Sequence, residues 1–263
     1  MKLKLYLVLL TSPFISFASH YLGGELTWKH ISGSTYEFTA VLYRECRSAT
    51  GGTSAGMPSS IALSSNSGAS PSLSLINFSD VSPKCNSSYF PTGTALNCNN
   101  GAANQGRIER HVYRNSNVTL TGTPPATGWW FWYTGCDRPY SLTNLVNTNS
   151  SGSPVGYCYT IRAAIFPYTI NGVVQNVNTG YDDSPQFLEP PISVLSPGYV
   201  YNYAHYAGDS DLDSISYSWA DPIDDNFNAN PAIILPPQAL VPPFNFNHLT
   251  LLLIHYLQVL PLR

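Results

Sequence analysis

The sequence predicts an all-β fold, and three features carry the prediction. Only 10% of the 263 residues are charged, whereas Gly (19), Pro (21) and Tyr (18) are abundant. That composition suits short strands, many turns, and aromatic or β-branched residues on pleated faces. Helix-forming residues are scarce outside the two ends, and several stretches alternate apolar and polar residues at the period of a half-buried strand. The length allows one large β-domain or two smaller ones, either able to bury a core.

The elements are justified in chain order. Lys2 and Lys4 precede a largely apolar run from Leu5 to Phe17, and Ser16-Phe17-Ala18 fits a signal-peptidase site. Residues 1–18 therefore read as a secretory signal cleaved after Ala18. A membrane anchor needs roughly 20 apolar residues; this run is shorter and Pro13 breaks it. Glu25 to Lys29 and Tyr36 to Arg44 read as a β-hairpin turning at Ser32-Gly33-Ser34, with Tyr36, Phe38, Ala40 and Leu42 on one face. Residues 47–106 are rich in Ser, Gly and Asn, with apolar runs only near Ile61 to Leu63 and Leu73 to Phe78. Strand signals return at Ile108 to Arg114 and at Asn117 to Thr121. A Pro-Pro turn then feeds the aromatic run Trp129-Trp130-Phe131-Trp132-Tyr133. Tyr157 to Phe166 reads as a strand, and Asn171-Gly172 supplies the positive φ angles of a tight hairpin turn. Polar "NTGYDDSPQF" places a boundary near residue 183. Past it, Tyr199, Tyr201, Tyr203 and His205 alternate onto one face, as do Ile215, Tyr217 and Trp219. The tail from Leu249 holds seven leucines in fifteen residues and is too short and too interrupted to span a membrane.

Charge is unevenly distributed. Residues 1–162 carry eleven of the twelve Lys and Arg, whereas nine of the fifteen Asp and Glu fall between Asp182 and Asp225, a stretch without a basic residue. Carboxylates crowded in this way repel one another unless something neutralises them. Nucleic acid is excluded as a partner, because no basic stripe exists to engage phosphates. In an exported chain the five cysteines, Cys46, Cys85, Cys98, Cys136 and Cys158, imply two disulfides and one remaining thiol. Their spacing matches no zinc pattern and leaves the pairing open.

Two candidate sites stand out. In Asp209-x-Asp211-x-Asp213, alternate residues of an extended backbone project to one side and offer hard oxygen ligands, which makes calcium the expected cation. Asp182, Asp183 and Glu189 are possible additional ligands, and Asp221, Asp224 and Asp225 also lie near enough in sequence to complete a site. The segment is no EF-hand, since the sixth position lacks Gly and the twelfth lacks Glu; the plain alternative is a solvated acidic loop. The second candidate is Trp129, Trp130 and Trp132 as a carbohydrate-stacking platform, against the simpler reading of a strand covered on both faces. Catalytic signatures are missing. The sequence has no HExxH, GxSxG, P-loop or GxGxxG pattern, and carboxylates in a flexible turn do not hold the fixed separation a glycosidase needs.

Taken in order, "SHYLGGELTW", "LYREC", "VSPKCN", "TGWWFWYTGCDRP" and "DDSPQFLEPP…GYVYNYAHYAGDSDLDSISYSWADPIDD" resemble the N-terminal region of large secreted surface proteins of the Bacteroidetes. Those proteins carry immunoglobulin- or cadherin-like repeats and end in a gliding-motility-associated sorting domain. The resemblance covers roughly residues 19–235. It implies β-sandwich modules: a disulfide-tied N-terminal β-domain over 19–182 and part of an immunoglobulin/cadherin-like sandwich over 183–247. It also implies a structural or adhesive role outside the outer membrane, toward a surface protein or a glycan; the shortness of the apolar runs separately predicts no transmembrane segment in the mature chain. Two departures stand out. The family often has a cysteine where this chain reads Leu195-Ser196-Pro197-Gly198, which accounts for the odd cysteine count. The Leu-rich residues 248–263 replace further domains, so a truncated or frameshifted product is expected.

Overall fold

A computed structural model describes residues 21–46, 57–83, 97–98, 107–136, 158–170, 173–176, 182–190, 206–217 and 260–262. Every regular element among them is a strand: β1 (Tyr21–Ser32), β2 (Thr35–Glu45), β3 (Ser60–Ala62), β4 (Ser64–Ser65), β5 (Ser72–Asp80), β6 (Ile108–Thr119), β7 (Trp129–Cys136) and β8 (Cys158–Ile165). Six short strands complete the set: β9 (Tyr168–Ile170), β10 (Val173–Asn176), β11 (Gln186–Phe187), β12 (Ala207–Gly208), β13 (Ser214–Ser216) and β14 (Leu260–Leu262). All pairings are antiparallel, so the chain is all-β and sandwich-like.

The expected hairpin is β1–β2, with Trp28 opposite Phe38 and the turn at Gly33, whose φ of 55° is left-handed. It forms one side of a five-stranded sheet in the order β1-β2-β6-β5-β3, and a three-stranded sheet, β4-β7-β8, packs against it. Alternation along β2 sends Tyr36, Phe38, Ala40 and Leu42 between the sheets, where they meet Phe131 of β7 and Ile161 and Ile165 of β8. The Phe38 and Phe131 ring centroids are 4.5 Å apart. The opposite face of β2 is covered as well, with Val41 and Tyr43 in a second cluster with Val112.

Two features tie the sheets laterally. Ser60 to Ser65 runs through both, leaving the large sheet at Ala62 and joining β7 at Ser64, with buried Leu63 at the crossing. On the other side Trp28 of β1 donates its indole N–H to the Ala164 carbonyl of β8 at 3.0 Å. Residues 57–83 therefore contain paired strands at both of their apolar runs.

One expected boundary changes. The segments read as two strands, Ile108 to Arg114 and Asn117 to Thr121, form the single strand β6. Asn115 and Ser116 do not turn the chain. Their extra length is absorbed by a register shift, with Phe38 opposite Asn115 but Tyr36 opposite Val118. The strands expected after residue 157 appear as β8 and as the β9–β10 hairpin. Cys46 bonds to Cys98, tying the end of β2 to the segment before β6, and Cys136 bonds to Cys158 directly across β7–β8. The signal segment, Cys85, Asp221, Asp224, Asp225 and the Tyr199–His205 alternation lie outside the described residues.

Candidate functional site

The acidic segment meets the sandwich at an edge strand. β1 is the outermost strand of the large sheet, and such an edge presents N–H and C=O groups that invite another strand. Here Ser184 and Asp183 satisfy those of Trp28 and the N–H of His30. The Ser184 N–H donates to the Trp28 carbonyl at 2.9 Å, and the Trp28 N–H donates to Ser184 Oγ at 2.7 Å. The His30 N–H donates to Asp183 Oδ1 at 2.7 Å. A serine and an aspartate thus stand in for a neighbouring strand, immediately before the Pro185 that cannot donate.

Asp183 also reaches the other way. Its Oδ2 accepts from Ser210 Oγ at 2.8 Å and pairs with Lys29 Nζ at 3.4 Å, while its N–H donates to Asp211 Oδ2 at 2.6 Å. The carboxylate, on a residue 8% exposed, is therefore compensated by three donors rather than left alone in the interior. Around it, β11 pairs with β12, and the Leu188 N–H donates to the Tyr206 carbonyl. Phe187 reaches back to β1 through its N–H, which bonds the Glu25 carboxylate. Burial pushes the Glu25 carboxyl up to about 7, although Arg110 and the Phe187 N–H act in the opposite direction.

The three alternate aspartates have three different settings. Asp209 Oδ1 accepts the N–H groups of Asp211 and Asp213, closing a tight local turn in which Leu212 has a left-handed φ of 65°. Asp211 is bound to the Asp183 backbone, and Asp213 is exposed. Asp182 is partly buried beside Asp183, and Glu189 is exposed. These carboxylates do not draw together into a ligand cluster. Among the described residues only Cys46, Asp80 and Cys98 bring three potential ligand atoms within 4.8 Å of one another, and those two sulfurs are joined in a disulfide.

The aromatic run is divided by the pleat. Trp129 and Phe131 enter the core, and Trp129 is 7% exposed; Trp130 and Trp132 lie on the outer face of the small sheet, partly buried. The Trp130 indole N–H donates to the Thr127 carbonyl, the Arg162 guanidinium sits 4.8 Å over its ring, and Phe166 meets it edge-on. The three indoles do not share one surface.

Residue chemistry alone does not single out Glu25, Lys29, Ser184 or Phe187. The only local signal is the change of texture at "DDSPQF", which marks a boundary. No protein-family model, curated protein or solved structure matches the chain.

Proposed function

We propose that the chain is an exported, non-catalytic cell-surface module with a structural or adhesive role, and that residues 182–190 and 206–217 belong to a joint that couples its N-terminal sandwich to a second module. One observation carries the reading: Asp183 and Ser184 bond the outward backbone groups of Trp28 and His30 on the β1 edge while Asp183 also binds Ser210 and the Asp211 side chain. Two disulfides and the all-β fold agree with an extracellular setting. The resemblance of its motifs to those of Bacteroidetes surface proteins favours an immunoglobulin- or cadherin-like second module. Partial coverage of Trp130 and Trp132, and burial of Trp129, weigh against a glycan platform as the main role.

Calcium is a separable part of this proposal. The nine carboxylates between Asp182 and Asp225 lack a Lys or Arg of their own segment, and a divalent cation drawn to the Asp209-x-Asp211-x-Asp213 segment would relieve their repulsion. The joint is tested by Asp183→Ala with Ser184→Ala, which is expected to expose residues 182–190 and 206–217 to limited proteolysis while leaving the disulfide-tied sandwich intact. Cleavage unchanged from wild type sinks the joint. Added Ca²⁺ is expected to raise Tm and a chelator to reverse the rise. No shift at millimolar calcium removes the metal and leaves the hydrogen-bonded joint standing.

A further inference from the structure

Strand β2 carries its inward alternation one step beyond Leu42 and buries Arg44, which is 1% exposed. Arg44 lies opposite Tyr21 on β1 and opposite Glu109 on β6. Glu109 Oε2 meets Arg44 Nε at 3.0 Å and His111 Nε2 at 3.0 Å, so one carboxylate oxygen serves two buried nitrogens. Nη1 and Nη2 of Arg44 and Nδ1 of His111 are shielded from solvent and have no hydrogen-bond partner among the described residues. Just before Glu109, Arg107 is also fully buried, and its charge acts on Asp80. Glu109 is thus the carboxylate that Arg44 and His111 share. Phe78, 52% exposed, stacks on the His111 ring at 6.0 Å and 17°, which places the cluster one side chain beneath the surface.

We propose that this end of the sandwich is a receptor for a carboxylate, taken end-on by Nη1 and Nη2 of Arg44, with His111 beside it and Phe78 as the outer wall. The paired η nitrogens present a flat two-donor edge whose geometric match is the two oxygens of a carboxylate. A neutral acceptor engages one prong; a carboxylate engages both and makes charge-assisted bonds, which are roughly twice as strong as neutral ones. The carboxylate comes either from a small free acid or from a peptide, and the chemistry at Arg44 is the same for both.

The test uses the full chain and follows Tm in sodium acetate against sodium chloride at equal ionic strength and pH. Acetate is expected to stabilise the wild type in a saturable way. Arg44→Lys keeps the charge but loses the two-pronged edge, so the apparent acetate affinity is expected to fall at least about tenfold. If Arg44→Lys fails to fold, Phe78→Ala decides, because that half-exposed side chain is no part of the hydrophobic core cluster; a several-fold change in acetate affinity is expected. A parallel arm compares a short acetylated peptide with a free C-terminus against its amidated form. Stronger stabilisation by the free-acid peptide than by acetate identifies a peptide source, and the reverse identifies a small acid. Superimposable acetate and chloride curves for the wild type overturn the proposal, as does an acetate response that survives Arg44→Lys or is unchanged in Phe78→Ala.

Discussion

Glu25 shows how one residue can set the pH response of the joint. Its carboxyl lies on β1, accepts the Phe187 N–H, and is pushed by burial from 4.5 to about 7. A raised carboxyl pKa means that the folded state prefers the protonated form. The stabilisation is fully present below pH 4.5 and is lost as pH rises through 7. At about 1.4 kcal/mol per unit the ceiling is about 3 kcal/mol, and partial solvent contact lowers it. Wild-type stability is therefore expected to fall between about pH 5 and pH 8, and Glu25→Gln should flatten that slope. Denaturant unfolding at both pH values measures it, and an unchanged slope in the variant rules the assignment out. Glu109 behaves oppositely: burial raises its pKa, but hydrogen bonds from His111 and Arg44 outweigh burial and hold it below the usual range. Its contribution is present at neutral pH and is lost only under more acidic conditions, so the two windows separate. The burial of Arg44 was not read from the sequence, although the pattern that implies it is there. The period that buries Tyr36, Phe38, Ala40 and Leu42 reaches position 44, so the same alternation that sets the core also places a guanidinium in it. Asp183 and Ser184 were not legible in this way, because their partners on β1 are backbone groups more than 150 residues away in sequence.

Strand β7 is the element on which two readings of the chain divide. Its aromatic run was compatible with a glycan platform or with a covered strand, since five consecutive rings do not reveal which face points outward. The pleat separates Trp129 and Phe131 from Trp130 and Trp132. Trp129→Ala is accordingly expected to cost about 3–5 kcal/mol, as for a large core side chain. Trp130→Ala loses chiefly the Arg162 contact and partial burial, and about 1–2 kcal/mol is expected. Equal losses in thermal unfolding would contradict the inward and outward assignment. The hairpin β1–β2 was readable because turn and alternation agree locally. The crossing at Leu63 was not, because a strand that changes sheets leaves no mark in the period of its residues. The disulfides obey the same logic. The cysteine count implied two, but pairing Cys46 with Cys98 across 52 residues and Cys136 with Cys158 across 22 depends on tertiary neighbours. In the chain-entropy account the longer loop stabilises by about 4 kcal/mol and the shorter by about 3. Cys46→Ser with Cys98→Ser should therefore lower Tm somewhat more than Cys136→Ser with Cys158→Ser.

At the scale of the whole molecule the decisive feature is how its sheet edges are closed. On one side the chain itself passes between the sheets through Leu63, and on the other β1 meets β8 through the Trp28 indole. A further edge among the described residues is the backbone of Trp28 and His30, which Asp183 and Ser184 cover without providing a strand. Asp183→Ala with Ser184→Ala removes two side-chain acceptors for buried or half-buried N–H groups, and each loss costs about 1–3 kcal/mol. Lys29→Ala removes only a half-exposed partner of Asp183 and should cost less than about 1 kcal/mol. The larger consequence is intermolecular. With these side-chain acceptors gone, β1 offers the freed N–H groups of Trp28 and His30 to a second chain, so the double variant is expected to self-associate with rising protein concentration more than the wild type does. Sedimentation velocity across a concentration series reads this directly, and Lys29→Ala serves as the control that keeps the edge covered. If the double variant sediments as the wild type does at every concentration while its Tm falls, then Asp183 and Ser184 stabilise the joint without guarding the edge. If neither quantity changes, the latch contributes nothing and the joint must be held elsewhere.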